Sequence, residues 1–297
     1  MLTEELKAAL AALGGLCAVD IDLAAPYLAA AREAEAAINA NGVRVSAAAV
    51  GQATTQGGVA ILPVSGFIRM HPSPVERLLG ISFGASLTRL TERLREAVAD
   101  DAVAAIVLRF DSPGGATFGL AEAAEEIRKA ASTKPVIAMV ETVCASAAYW
   151  LASACSEIVA LESAVVGSIG VVGTHTSVKA ALEAQGVKVT LVSSTLEKVE
   201  TYPENDLSDE ARAHLQGLVD AELKLFVAAV AKGRGIKPGD VLDQYGRGRI
   251  MKGRAAKAAG MIDRIATLDA VVAGLARPAR RAGAPRVGRA ARMAFDL

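Results

Sequence analysis

Ser146 stands in the run Val143-Cys144-Ala145-Ser146-Ala147-Ala148-Tyr149-Trp150, between a β-branched stretch ending near Glu141 and an alanine-rich stretch of helical character. A serine at such a junction has its hydroxyl at a strand's C-terminal edge, beside the orphan N–H groups of a helix start. A nucleophilic oxygen next to donors for a developing oxyanion is what acyl transfer requires. The plainer reading is a helix N-cap, a common role for serine, with Ala145 to Ala154 kept small for close packing.

Two further segments share this character. Ala104 to Phe110 reads as a buried strand that runs into Asp111-Ser112-Pro113-Gly114-Gly115 and then a helix from Phe118. A Gly-Gly pair has the backbone freedom to turn an N–H toward a neighbouring strand end, which supplies a second oxyanion donor. Twenty residues after Ser146, Gly167, Gly170 and Gly173 punctuate the apolar run Val165 to Gly173, so that strand must bend. Taken singly, either cluster is equally a tight turn.

In this order and spacing, the Asp111–Gly115, Ala145–Tyr149 and Val166–Val171 segments resemble the signal peptide peptidase A family of serine proteases. The resemblance spans about Gly58 to Leu275, and within the family it is nearest to the soluble head maturation, or capsid, proteases of tailed phages and prophages. It implies a Clp protease/crotonase-like fold, a Ser–Lys dyad and closed rings with inward-facing sites. The family's nucleophile falls on Ser146. Its general base, a lysine shortly before a long helix opening on a Leu207-Ser208-Asp209-Glu210-like stretch, falls on Lys198. Gly114 and Ala147 then supply the backbone oxyanion hole, with Gly115 and Ser168 in support, the Ser168 hydroxyl orienting the amine. The Ser193 to Lys198 run departs from the family pattern, having one lysine and no glycine.

A lysine base must lose its proton before it can take one. In water its pKa is about 10.4, so the site has to desolvate it or hold its neutral form. Lys198 is therefore expected to point inward, with Glu197 and Glu200 turned to solvent. A histidine base is the competing arrangement, and His175, after the Val172-Gly173 bend, is its candidate; His71 lies in a proline-rich loop and His214 within a helix. No His-Glu-x-x-His, paired Cys-x-x-Cys or phosphate-binding loop occurs, so neither metal nor cofactor is expected.

These groups need a scaffold. The alternation of helix 86–99, strand 104–110, helix 120–131, strand 136–141, a helix from Ser146, strands 157–161 and 165–172, helix 178–185 and strand 187–193 predicts βα crossover units around a mostly parallel sheet. Sites in such sheets sit at strand C-terminal ends, where Gly114, Ser146 and Ser168 fall. The predicted organisation is an N-terminal segment (1–57) with helices Leu2 to Leu13 and Leu23 to Asn39, a peptidase domain (58–276) and an arginine-rich, disordered tail (277–297). An amphipathic helix from Ser208 to Lys232, ended by Gly233, is long enough to dock on another subunit.

Of 297 residues, 52% are apolar and the formal net charge is zero, which permits one large α/β core and gives no global nucleic-acid signal. Cys17, Cys144 and Cys155 have no disulfide-framework spacing and are expected as reduced thiols. No targeting segment or run of about eighteen apolar residues is visible, so a cytoplasmic protein, or one enclosed in a prohead, is expected. The expected partners are protein substrates, scaffold or capsid segments, in a ring-shaped homo-oligomer. Two alternatives stay open: a cellular enzyme of the same family that degrades signal peptides, and a non-proteolytic crotonase-like or shell protein.

Overall fold

The structure, a computed structural model, describes residues 17–19, 53–72 and 84–276. The expected helices Leu2 to Leu13 and Leu23 to Asn39, most of the connector after them and the arginine-rich tail lie outside the described residues. Strands β1 (Cys17–Val19), β2 (Thr54–Gln56), β3 (Val59–Ser65), β4 (Phe67–Arg69) and β5 (Gly84–Ser86) come first, followed by helix α1 (Leu87–Ala99). Then come β6 (Ala105–Ser112), β7 (Gly114–Ala116), α2 (Leu120–Thr133), β8 (Val136–Ala145), α3 (Ala147–Ala152), β9 (Glu157–Ala160) and β10 (Val165–Gly167). The described residues end with α4 (Lys179–Ala184), a 3-10 turn at Leu196–Val199, α5 (Asp209–Arg234), α6 (Pro238–Gln244), β11 (Ile250–Lys252), α7 (Gly253–Ala258), β12 (Arg264–Ile265) and α8 (Leu268–Leu275).

The result is the expected mixed α/β architecture around a mostly parallel sheet. Strands β3, β6, β8 and β10 pair in parallel, with β9 and β12 branching from β8, while β2 and β11 pair antiparallel to their neighbours. Val107, Ile137, Met139 and Val159 form one apolar face that α8 covers through Val271 and Val272. Leu108, Phe110, Ala138 and Val140 face the larger core, filled by Leu90 and Leu94 of α1, Ile127 of α2 and Trp150 of α3. Runs apolar on both faces are the expected signature of buried parallel strands.

A second, four-stranded sheet of order β1-β7-β4-β5 grows from the ends of the central strands. β3 continues through Gly66 into β4, and β6 through Pro113 into β7. Gly115 is required at this junction, since a Cβ there would sit 1.9 Å from the Ile68 carbonyl oxygen.

Three expectations need correction. The predicted strand 187–193 is not one: the segment is unpaired, and Val192 is 93% exposed. Among the described residues its alternation of apolar residues has no neighbouring strand, and an unpaired ladder cannot form. The long helix ends at Arg234 rather than before Gly233, because Gly235, at φ 66°, makes the left-handed cap. Gly233 instead lets the helix backbone touch Ser153, whose carbonyl oxygen would lie 1.8 Å from an added Cβ. Finally, β10 stops at Gly167, five residues short of Val172, where Ser168 turns to φ 54°.

Candidate active site

The parallel register brings the three sequence motifs together. Ser112 lies opposite Cys144 across the β6–β8 ladder, and Gly167 opposite Ala145 across β8–β10. Gly114, Ser146 and Ser168 therefore leave neighbouring strand ends at the same level. The Ser146 N–H donates to the Gly167 carbonyl at 2.7 Å, which fixes the turn from β8 into α3.

Ser146 is not an ordinary N-cap. Its backbone has φ 53° and ψ −119°, and its side chain makes no cap hydrogen bond. A positive φ in a non-glycine residue costs about 1–3 kcal/mol and persists only where the surroundings impose it. The strain turns the side chain away from the capping role, and among the described residues Oγ meets only the Gly170 carbonyl, at 3.5 Å. Within α3, Trp150 N–H is bonded to the Ser146 carbonyl, so the Ala147 N–H precedes the first helical hydrogen bond and has no acceptor inside the helix. Ser146 is 1% exposed and Ser168 8%.

On the other side, the Gly114 N–H donates to Ser112 Oγ at 3.2 Å, while that hydroxyl donates to the Gly66 carbonyl at 2.6 Å. Ser112 is fully buried, and its role as a holder of the Gly114 turn was not apparent in the sequence. Its only sequence signal is its place two residues before the glycine, where a hydroxyl can bond a following N–H.

The helix carrying Ser146 is anchored from behind. Tyr149 Oη donates to the Met261 carbonyl at 2.9 Å, and Trp150 stacks on Phe226 of α5 with ring centroids 4.8 Å apart. Arg234, at the end of α5, bonds both carboxylate oxygens of Asp263 and the Gly260 carbonyl. Burial pushes the Asp263 carboxyl up, but the Arg234 hydrogen bonds, the Ile158 N–H and the guanidinium charge outweigh it, leaving the pKa below the usual value. Cys144 is the other nucleophile near Ser146, and burial pushes its thiol well above the ordinary range, which disfavours the reactive thiolate.

The expected bases are not brought to Ser146 within this chain. Lys198 sits on the exposed 3-10 turn and is itself exposed, contrary to the expected inward orientation. His175 is half-buried, and its Nε2 meets the Tyr202 carbonyl at 3.4 Å. Both belong to an outlying strip, residues 172–206, whose apolar side chains Val187, Val189, Val192 and Leu196 face solvent. Among the described residues no group of three or more His, Cys, Asp or Glu side chains could hold a metal ion, and no helix is long and apolar enough to cross a membrane.

Fold and site together define a parallel-sheet α/β protein with a strained serine where a central strand enters a helix. Residues 128–281 match peptidase family S49, and the chain belongs to that family. It is 34% identical over 208 residues to capsid assembly protease C of Escherichia phage lambda, an alignment covering 70% of this chain and 46% of that protein. It is 32% identical over 211 residues to head-tail preconnector protein GP5 of Enterobacteria phage P21 (70% and 40%), and 33% identical over 189 residues to protease 4 of Salmonella typhi (63% and 30%). The alignments thus span less than half the length of each of these relatives.

Proposed function

We propose that the chain is a serine endopeptidase that cuts extended segments of scaffold or capsid proteins during phage head maturation. The observation that carries this reading is Ser146: a strained, uncapped serine at a strand end, beside the Ala147 N–H and one strand from Gly114. The two phage relatives supply the context, one named a capsid assembly protease and the other a head-tail preconnector protein. Ser146 is the nucleophile, Gly114 and Ala147 are the oxyanion donors, and Gly115 and Ser168 support the two turns. The small sheet branching from β3 and β6 favours the Clp protease/crotonase-like fold, with the peptidase domain at 58–276, flanked by 1–57 and the arginine-rich tail 277–297.

Lys198 is the base, delivered by a neighbouring copy. Ser146 Oγ has no basic group within hydrogen-bonding distance among the described residues, while Lys198 stands exposed beside the exposed apolar side chains Val192 and Leu196, on a segment that leads into the half-exposed helix α5. Packing of that strip on a second copy would bury Val192 and Leu196 and desolvate the amine, which lowers a lysine pKa toward a working range. The Ser146→Ala and Lys198→Ala variants should each lose casein cleavage by at least about three orders of magnitude with unchanged circular dichroism. An active Lys198→Ala variant beside a dead His175→Ala variant would replace the dyad by a Ser–His arrangement.

A further inference from the structure

The small sheet contains a strand that the peptidase reading leaves unused. β1 lies antiparallel on β7, with Cys17 opposite Ala116, Ala18 opposite Gly115 and Val19 opposite Gly114. The other edge of β7 is taken by β4, so β1 closes the edge that remains. An open edge of this kind is what a peptide recognised by strand addition needs, since main-chain hydrogen bonds supply the affinity. From Cys17 to Val19 the chain runs toward Gly114, the end of β7 that the Ser112–Cys144 register brings level with Ser146.

Two further observations describe a site at rest. Ser146 is 1% exposed, so no outside peptide reaches its hydroxyl in this conformation. The Gly114 N–H, an expected oxyanion donor, is bonded to Ser112 Oγ within its own turn. We propose that residues 17–19 are an autoinhibitory strand, seated where an extended substrate would pair with β7 and displaced before another chain is cut. The proposal rests on the peptidase reading of Ser146. A strand that must leave first lowers apparent affinity by the fraction of molecules in which the edge is free.

The test needs no cleavage. In Ser146→Ala protein, binding of a fluorescent peptide with the sequence of residues 13–22 is measured by polarisation, with and without Ala18→Pro. Proline removes an N–H from the middle of β1 and cannot continue the ladder. Ala18→Val, which keeps the N–H and favours a strand, is the control. The peptide should bind the Ala18→Pro protein at least about fivefold tighter than the parent, with Ala18→Val like the parent, and β7 amides should exchange hydrogen faster once the strand is released. Equal affinities, no binding by any variant, or β7 amides already exchanging freely in the parent would overturn the proposal. Since binding and exchange are read on a variant lacking the serine, they stand apart from whether Ser146 cleaves peptides.

Discussion

The Ser146 N–H bonds the Gly167 carbonyl at 2.7 Å, joining two residues that both hold positive φ, 53° and 124°. Each strained turn thereby helps to fix the other. Gly167 tolerates its conformation only because it has no Cβ, and an added one would also sit 2.7 Å from the Arg249 carbonyl oxygen.

Gly167→Ala should therefore lose about 2–4 kcal/mol of stability and, through a displaced Ser146, about two orders of magnitude in kcat/KM. Gly217→Ala is the contrast: it lies within α5 with nothing within 4 Å of an added Cβ. There the helix should gain about 0.5–1 kcal/mol. Urea unfolding followed by circular dichroism measures both.

The Arg234–Asp263 pair gives a pH dependence with a definite sign. The folded carboxyl titrates below its ordinary value, so its contribution is present above the unfolded pKa of about 3.9 and fades as pH falls through the lower folded value. Asp263→Asn should lower stability at pH 7 and flatten the loss of Tm below about pH 4. A variant with an unchanged Tm profile from pH 7 to pH 2.5 would show that the pair adds nothing.

Much of this site was legible because residue type and spacing carry it. The Asp111–Gly115, Ser146 and Gly167–Gly170 segments each read as strand ends, and parallel strands gather such ends on one edge. Strand order was not legible, so the level pairing of Ser112 with Cys144 needed the fold. The misread strand 187–193 has a physical cause: alternating Val187 and Val189 record a pairing preference but not which chain meets it. β1 escaped notice because three residues, Cys17–Val19, are too short to show a period. The exposed Lys198 was unforeseen for a related reason, since local sequence says nothing of whether a loop is buried by its own chain or by another.

Mixing tests the origin of that lysine. Inactive Ser146→Ala and inactive Lys198→Ala proteins, assembled together, should recover activity at about one quarter of the sites if each site takes its lysine from the next subunit in a closed ring. No recovery, in assemblies shown by native mass spectrometry to be mixed, would mean that both residues act within one chain.

The central claim, that Ser146 is the acylated nucleophile, is tested most directly by trapping the intermediate. Wild-type protein is mixed with a peptide p-nitrophenyl ester, quenched in acid within seconds and digested for mass mapping. The account predicts one acyl adduct on the peptide containing Ser146, with none formed by Ser146→Ala protein. An adduct on Cys144 or any other residue, or the same adduct yield from the Ser146→Ala variant, would contradict it.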